Sequence, residues 1–332
     1  MTNPVLVEVM RGAWLESRHR GAIAVADADG TSVLAIGDVA TPVFPRSAVK
    51  ALQALPLVEA GAADRYGFGD EELALACASH SGEPAHVAGV ERMLAAAGLN
   101  SSALRCGVHW PISQAAGYAL ARAGTASALH NNCSGKHAGF LCFACAMGVD
   151  PSDYFRPEHP VQREVRAVLE DFTGAVLSPD RCAIDGCSVP TWAVPLENLA
   201  RGFAKFGTGH GLAPHRAKAA ARLRQACARK PWHVAGTGRF CTEIMELFGE
   251  RVFVKTGAEG VYCGALPQQG LGIAIKCDDG AGRAAQAIIA AIIARFLPLD
   301  EAERAAPMPF MQPALHNWNG FEVGKIKVTA AL

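Results

Sequence analysis

The chain has 332 residues, half of them hydrophobic and 19% charged, and its 31 basic and 31 acidic side chains cancel. That composition describes a compact globular protein, one large domain or two intimately packed ones, and excludes a disordered chain. No basic stripe argues for nucleic acid, no run approaches about 18 apolar residues, and residues 1–10 lack a signal-peptide core. The expectation is therefore a cytoplasmic protein with no nucleic-acid and no membrane partner. Eleven cysteines, an odd number, are expected to be reduced thiols, most of them packed as small hydrophobes.

In chain order, residues 4–10 read as a strand. Ala22–Ala26 and Val33–Ile36 flank an Asp27–Gly30 turn and form a hairpin. Ser47–Ala60 has helical periodicity with Val49, Leu52, Leu55 and Leu57 on one side, and Pro56 kinks or shortens it. The apolar segment Glu71–Cys77 leads into Ser79, His80 and Ser81. Ala85–Ala97 is an amphipathic helix ended by Gly98, and Gly139–Met147 is apolar nearly all round, a buried helix. Helices follow at Pro160–Phe172, Leu196–Phe206, Pro214–Ala228 and Arg239–Phe248; the third is basic and is expected to present a solvated face. Strands Arg251–Lys255, Val261–Leu266 and Gly272–Lys276 precede a long helix, Ala284–Phe296. Short turns between these strands imply an antiparallel sheet. The expected fold is α/β in the α+β sense: a central antiparallel sheet flanked by helices, plus a helical subdomain. The sheet part takes about 1–65 and 250–332, the helix-rich part about 66–249, in a single catalytic unit spanning 1–332.

Three stretches carry the first chemistry. Ser47 and Lys50 lie three apart, on one face of a helix. Ser79 and Ser81 flank His80, and Lys255, Thr256 and Gly257 end a strand. Two hydroxyls converging with two lysines make a serine nucleophilic without histidine or metal, which points to acyl transfer. Lys50 can act as a base only if partly neutral; burial and a second cation, Lys255, would both lower its pKa. Backbone N–H groups of Ser47 and of a residue after Gly257 would hold an oxyanion. Gly257 would let a substrate lie close to the strand edge.

A second cluster runs from Asn131 to His137. Gly135 and Lys136 hint at a phosphate loop, but His130 stands where glycine is needed and His137 where a hydroxyl is needed. Cys133 and Lys136 are three apart, and a second tight loop offers Asp185 and Cys187. Two thiolates and a nitrogen suit zinc, although lysine binds only when neutral; spacing alone leaves this open. Cys142 and Cys145 lie within the apolar helix and read as packing. Cys241 follows a glycine-rich turn and either lines a site or packs in the core.

The order of the three first stretches resembles the serine β-lactamase and penicillin-binding superfamily, with Ser81 where asparagine is usual. More closely, the chain resembles the bacterial class 3 (Rhizobium-type) L-asparaginases in Pro45–Lys50, Cys77–Ser81, Arg105–Gly107, Asn132–His137, Asp185–Cys187, Gly238–Cys241 and Lys255–Gly257. The resemblance implies a β-lactamase-like fold and hydrolysis of L-asparagine to L-aspartate and ammonia. It implies Ser47 as nucleophile, Lys50 as its base, and Ser79 with Lys255 as a second pair moving protons. It implies one zinc per chain on Cys133, Lys136 and Cys187, positioning substrate; Arg46, Asp185, His137 and Cys241 at the substrate; and a homodimer. Alternatives on the same residues are an esterase or peptidase on another acyl substrate, a non-catalytic amino-acid sensor, and a hydrolase using the zinc directly.

Overall fold

The computed structural model describes residues 2–332. Ten strands form: β1 (Val5–Arg11), β2 (Trp14–Ala26), β3 (Ser32–Ile36), β4 (Cys182–Ile184), β5 (Pro190–Trp192), β6 (Phe253–Thr256), β7 (Val261–Leu266), β8 (Leu271–Cys277), β9 (Ala314–His316) and β10 (Glu322–Val328). The main sheet runs β6-β7-β8-β2-β1-β10-β9, with β3 also paired to β2. Its pairings are antiparallel, as short turns between consecutive strands require. The N-terminal hairpin and the C-terminal strands share this sheet, and the mixed architecture matches the sequence expectation.

β2 is longer than the sequence suggests because it serves two neighbourhoods. Its first half pairs β1 and its second half pairs β3 and β8. Gly21 sits where it changes partner: a Cβ there would lie 2.4 Å from the Lys276 carbonyl oxygen. β10 closes onto β1 and had a readable signal in its alternating Val323, Lys325 and Lys327 against Gly324, Ile326 and Val328.

Helix Leu196–Thr208 packs on β8, β2 and β7, and helix Gly282–Phe296 packs on β8, β7, β10 and β1. The first helix comes so close at Gly272 that any side chain there would strike the Ala200 carbonyl. Phe203 and Phe206 of that helix meet Phe253 of β6, with ring centroids 6.1 and 5.0 Å away. Side chains alternate along a strand, so Phe253 and Lys255 share a face. The aromatic contact thereby seats the lysine-bearing strand.

Three local differences from the sequence reading position the site. The segment expected as one helix from Ser47 to Ala60 is a 3₁₀ turn, Arg46–Val49, followed by two short helices, Lys50–Gln53 and Leu55–Glu59. Pro56, which has no N–H to give, lies in the first turn of the second. The apolar helix begins at Ser134 instead of Gly139, which puts Lys136 and His137 on its first turn, fully enclosed. It crosses helix Asp70–Ala76 so tightly that a Cβ at Gly135 would lie 2.3 Å from the Leu75 oxygen. Third, the basic helix, Pro214–Arg229, is exposed at His215, Lys218 and Arg229 as expected, but other basic residues along it are ion-paired. Arg216 forks onto Glu59 at 2.6 and 3.0 Å and reaches Asp171 at 2.8 Å, while Arg222 meets Asp64 at 2.7 Å. These pairs tie it to the neighbouring helices. Sequence reasoning also missed helix Gln114–Ala123, which has no buried residue, and the β4–β5 hairpin. No helix among the described residues is long and apolar enough to cross a membrane.

Candidate active site

Helix Asp70–Ala76 ends just before Ser79, and the chain then runs extended between two other loops. The Ser79 N–H donates to Val234 O (2.9 Å) and the His80 N–H to Asn132 O (3.2 Å). His80 is a structural tie. Its Nδ1 accepts from the Gly82 N–H at 3.1 Å, so Nε2 carries the proton and donates to Ser134 Oγ at 2.9 Å. Complete burial, with His86 and Lys50 nearby, holds its pKa well below the usual histidine value, so the ring stays neutral.

The two lysines meet on Ser79. Lys50 Nζ is hydrogen-bonded to Ala78 O (2.5 Å), Ser79 Oγ (3.0 Å) and Asn132 O (3.4 Å). Lys255 Nζ reaches the same Ser79 oxygen at 2.8 Å and Thr256 O at 3.0 Å. Both lysines are completely buried. Burial first, then the nearby Lys50 charge, pushes the Lys255 pKa down to about 7. The Lys50 charge is thus one of the causes that lower Lys255. Ser47 is half-buried, and its oxygen has no hydrogen bond to Lys50 even though the two share a 3₁₀ turn.

Beside this triad lies a sulfur cluster. Cys133 immediately precedes the Ser134 helix, and the β4–β5 turn supplies Asp185 and Cys187. Lys136 Nζ lies 3.0 Å from Cys187 Sγ, which lies 3.4 Å from Asp185 Oδ2. Asp185 Oδ1 pairs with Arg46 Nε. The Cys133 pKa falls well below the usual thiol value, chiefly through a hydrogen bond from Cys187, aided by Lys50 and Lys136. The same bond, with burial, raises Cys187. Burial alone would lower the Lys136 pKa, but Cys187, Cys133 and Asp185 outweigh it and raise it.

His137 is buried with its Nδ1 2.5 Å from the Tyr154 hydroxyl, which itself accepts from the Arg105 N–H at 2.9 Å. His137 Nε2 is buried with no hydrogen-bond partner. Burial, then Lys136 and Lys50, lowers the His137 pKa well below its ordinary value. Cys241 is buried near Lys255, whose pKa it acts to raise. The structure thus gathers Lys50, Ser79 and Lys255 in one cluster and Arg46, Cys133, Lys136, Asp185 and Cys187 in a contiguous second one. Sequence reasoning gave no role to Tyr154, the Asn132 carbonyl or Arg239; Asn132 and Arg239 carried a signal, lying within the Asn132–His137 and Gly238–Cys241 stretches.

Backbone strain marks the same place. Among the described residues only three non-glycine residues have positive φ, and two are here: Arg46 (52°), next to Ser47, and Ser188 (76°), next to Cys187. Gly257 has a packing role at this strand end. A Cβ there would lie 2.5 Å from Pro45 O, so the strand end packs directly on the turn carrying Ser47. Its own N–H is taken by Val261 O at 2.7 Å and is not free to hold an oxyanion. Gly257→Ala is expected to displace that turn, destabilising the fold by about 1–3 kcal/mol and lowering turnover more than the stability loss explains. Urea unfolding and rates measured on the same preparation check this.

The donor set on Cys133, Lys136 and Cys187 fits a zinc ion in kind: two sulfurs and an amine, with Cys187 meeting both other donors and a carboxylate alongside. Among the described residues no group of three or more His, Cys, Asp or Glu side chains is arranged to hold a metal ion.

Comparison with known proteins gives a family. No curated protein matches the chain. Solved structures similar to it include a β-lactamase from Mycobacterium bovis, at 14% identity and TM-score 0.43, covering 84% of this chain and 95% of that one. Another is Mglu, at 16% identity and TM-score 0.38, covering 85% of this chain and 69% of that one. The L-asparaginase II family matches residues 7–328, nearly the whole sequence, and the chain belongs to that family.

Proposed function

We propose that the protein is an L-asparaginase of the class 3 type, hydrolysing L-asparagine to L-aspartate and ammonia by serine–lysine acyl transfer. The observation that carries this reading is the Ser79 hydroxyl held between two buried lysine amines, at 3.0 and 2.8 Å. A lysine with a pKa near 7 exchanges a proton readily at neutral pH. Passing one proton from Lys50 through Ser79 to Lys255 leaves Lys50 neutral and able to accept the proton of Ser47.

Ser47 is the nucleophile, since it is the hydroxyl that a substrate can reach; Ser79 is nearly sealed and occupied on both sides. Ser47 Oγ attacks the side-chain amide carbon and gives its proton to Lys50. The Lys50–Ser79–Lys255 wire delivers a proton to the amide nitrogen, the C–N bond breaks, and ammonia leaves. Water then cleaves the aspartyl ester and restores Ser47. Asp185, oriented by Arg46, takes the substrate ammonium; the unpartnered His137 Nε2 and buried Cys241 complete the lining. A zinc held by Cys133, Lys136 and Cys187 would supply a fixed positive charge that positions substrate, while the serine supplies the nucleophile.

The test is ammonia release from asparagine and glutamine by the wild-type protein; no release from asparagine overturns the reading. Cys133→Ser is expected to abolish zinc binding by elemental analysis and to raise KM. Chelation should do the same with kcat nearly unchanged; loss of kcat at saturating asparagine would make the metal part of the chemistry.

A further inference from the structure

Five cationic side chains surround the site, and four of them are committed. Arg46 is paired with Asp185. Lys136 is held by Cys187 and by the charge of Cys133 and Asp185. Lys50 spends its three N–H bonds on Ala78 O, Ser79 Oγ and Asn132 O. Lys255 is bonded to Ser79 and Thr256. Arg239 is the fifth. It stands immediately before helix Phe240–Phe248, half-buried, and makes one side-chain bond, from Nη1 to Ser81 Oγ at 3.3 Å. Ser81 is two residues from Ser79, and its own hydroxyl donates to Ala235 O at 2.9 Å. Arg239 forms no ion pair with a carboxylate among the described residues, yet its charge reaches Lys255 and Tyr262.

A guanidinium is always charged and offers five N–H donors in a fork that matches a carboxylate. Leaving one half-buried with a single neutral partner costs desolvation without return, unless an anion completes it. Resting on the reading of the site as an asparaginase, we propose that Arg239 anchors the α-carboxylate of the substrate. Asparagine then lies with its α-carboxylate on Arg239 beyond Ser81, and its side chain carries the amide carbon from the α-carbon to the serine–lysine cluster. Specificity for an amide that carries an α-carboxylate over a simple amide follows from this anchor.

The experiment compares wild type, Arg239→Gln and Arg239→Lys on three compounds. These are L-asparagine, succinamate (no amine) and 3-aminopropanamide (no carboxylate), each read as substrate or as competitive inhibitor. Arg239→Gln is expected to raise KM for asparagine and weaken succinamate by about 100-fold, with kcat little changed. The 3-aminopropanamide values should move less than about twofold, within ordinary surface-substitution effects. Arg239→Lys should recover part of the loss. Equal losses on all three compounds would show a structural role and overturn the assignment, as would no loss on any. Calorimetric titration with succinamate keeps the anchor testable by itself. If wild type releases no ammonia from asparagine, the hydrolase reading falls, and the anchor stands or falls on whether Arg239→Gln weakens succinamate.

Discussion

Ser47→Ala is expected to lower ammonia release from asparagine by on the order of 10⁴-fold or more, as loss of a nucleophile does in other serine hydrolases. The substitution should leave stability within about 0.5 kcal/mol, because the side chain is half-buried and bonded to neither lysine. Ser79→Ala is expected to cost less, about 10²–10⁴-fold, the range of a lost proton-transfer group. It also leaves Lys50 and Lys255 facing each other without the oxygen that both now use. Rapid quench and peptide mass analysis should place an aspartyl ester on the peptide containing Ser47. An ester on the Ser79 peptide, or near-normal turnover by Ser47→Ala, would reverse the roles. The geometry makes the question real: the structure joins Lys50 to Ser79 and not to Ser47. Catalytic contacts often tighten only when substrate arrives, so Ser47 keeps its assignment on accessibility and on its shared turn with Lys50.

Lys255→Met is expected to trade activity for stability in a pH-dependent way. In the folded protein Lys255 loses its proton near pH 7; in the unfolded chain it keeps it to about 10.4. Between those values the unfolded state binds more protons, so this lysine makes wild-type stability rise with pH. Its full cost is present below pH 7 and is relieved as pH climbs towards 10. The gain in unfolding free energy from Lys255→Met should therefore be larger at pH 6 than at pH 10, by on the order of 4 kcal/mol. Urea unfolding at the two pH values measures it; an equal gain at both would refute the depressed pKa. The catalytic side has the same origin. Wild-type kcat/KM should rise with pH through about 7 as Lys255 becomes able to accept a proton. Lys255→Met should lose about 10²–10⁴-fold in rate together with that limb of the profile. A rate that falls through pH 7 would instead make the Lys255 ammonium the required form.

Several parts of the fold were legible because they rest on local patterns. The hairpin at Asp27–Gly30, the β6–β7–β8 run and the Gly282–Phe296 helix follow from alternation, turn residues and apolar periodicity. Helix Gln114–Ala123 was invisible for the opposite reason: it buries nothing, so no apolar stripe announces it. The early start of the Ser134 helix was hidden because Lys136 and His137 look like surface residues. Both are enclosed, one by sulfur and carboxylate partners and the other by Tyr154.

For this protein, the sequence alone determined residue chemistry and order: two serines with two lysines, two cysteines with a lysine, and an antiparallel sheet interrupted by helices. Those are properties of short windows, where side-chain type and spacing act directly. Only the tertiary structure decided which groups meet. Ser79 and Lys255 are 176 residues apart and lie within 2.8 Å; Lys136 and Cys187 are 51 apart and lie within 3.0 Å. Those contacts depend on Phe253 seating a strand, on glycines letting backbones touch, and on a hairpin between β4 and β5. They set the burial and the neighbouring charge that move the Lys255 pKa to about 7, quantities that no local window contains.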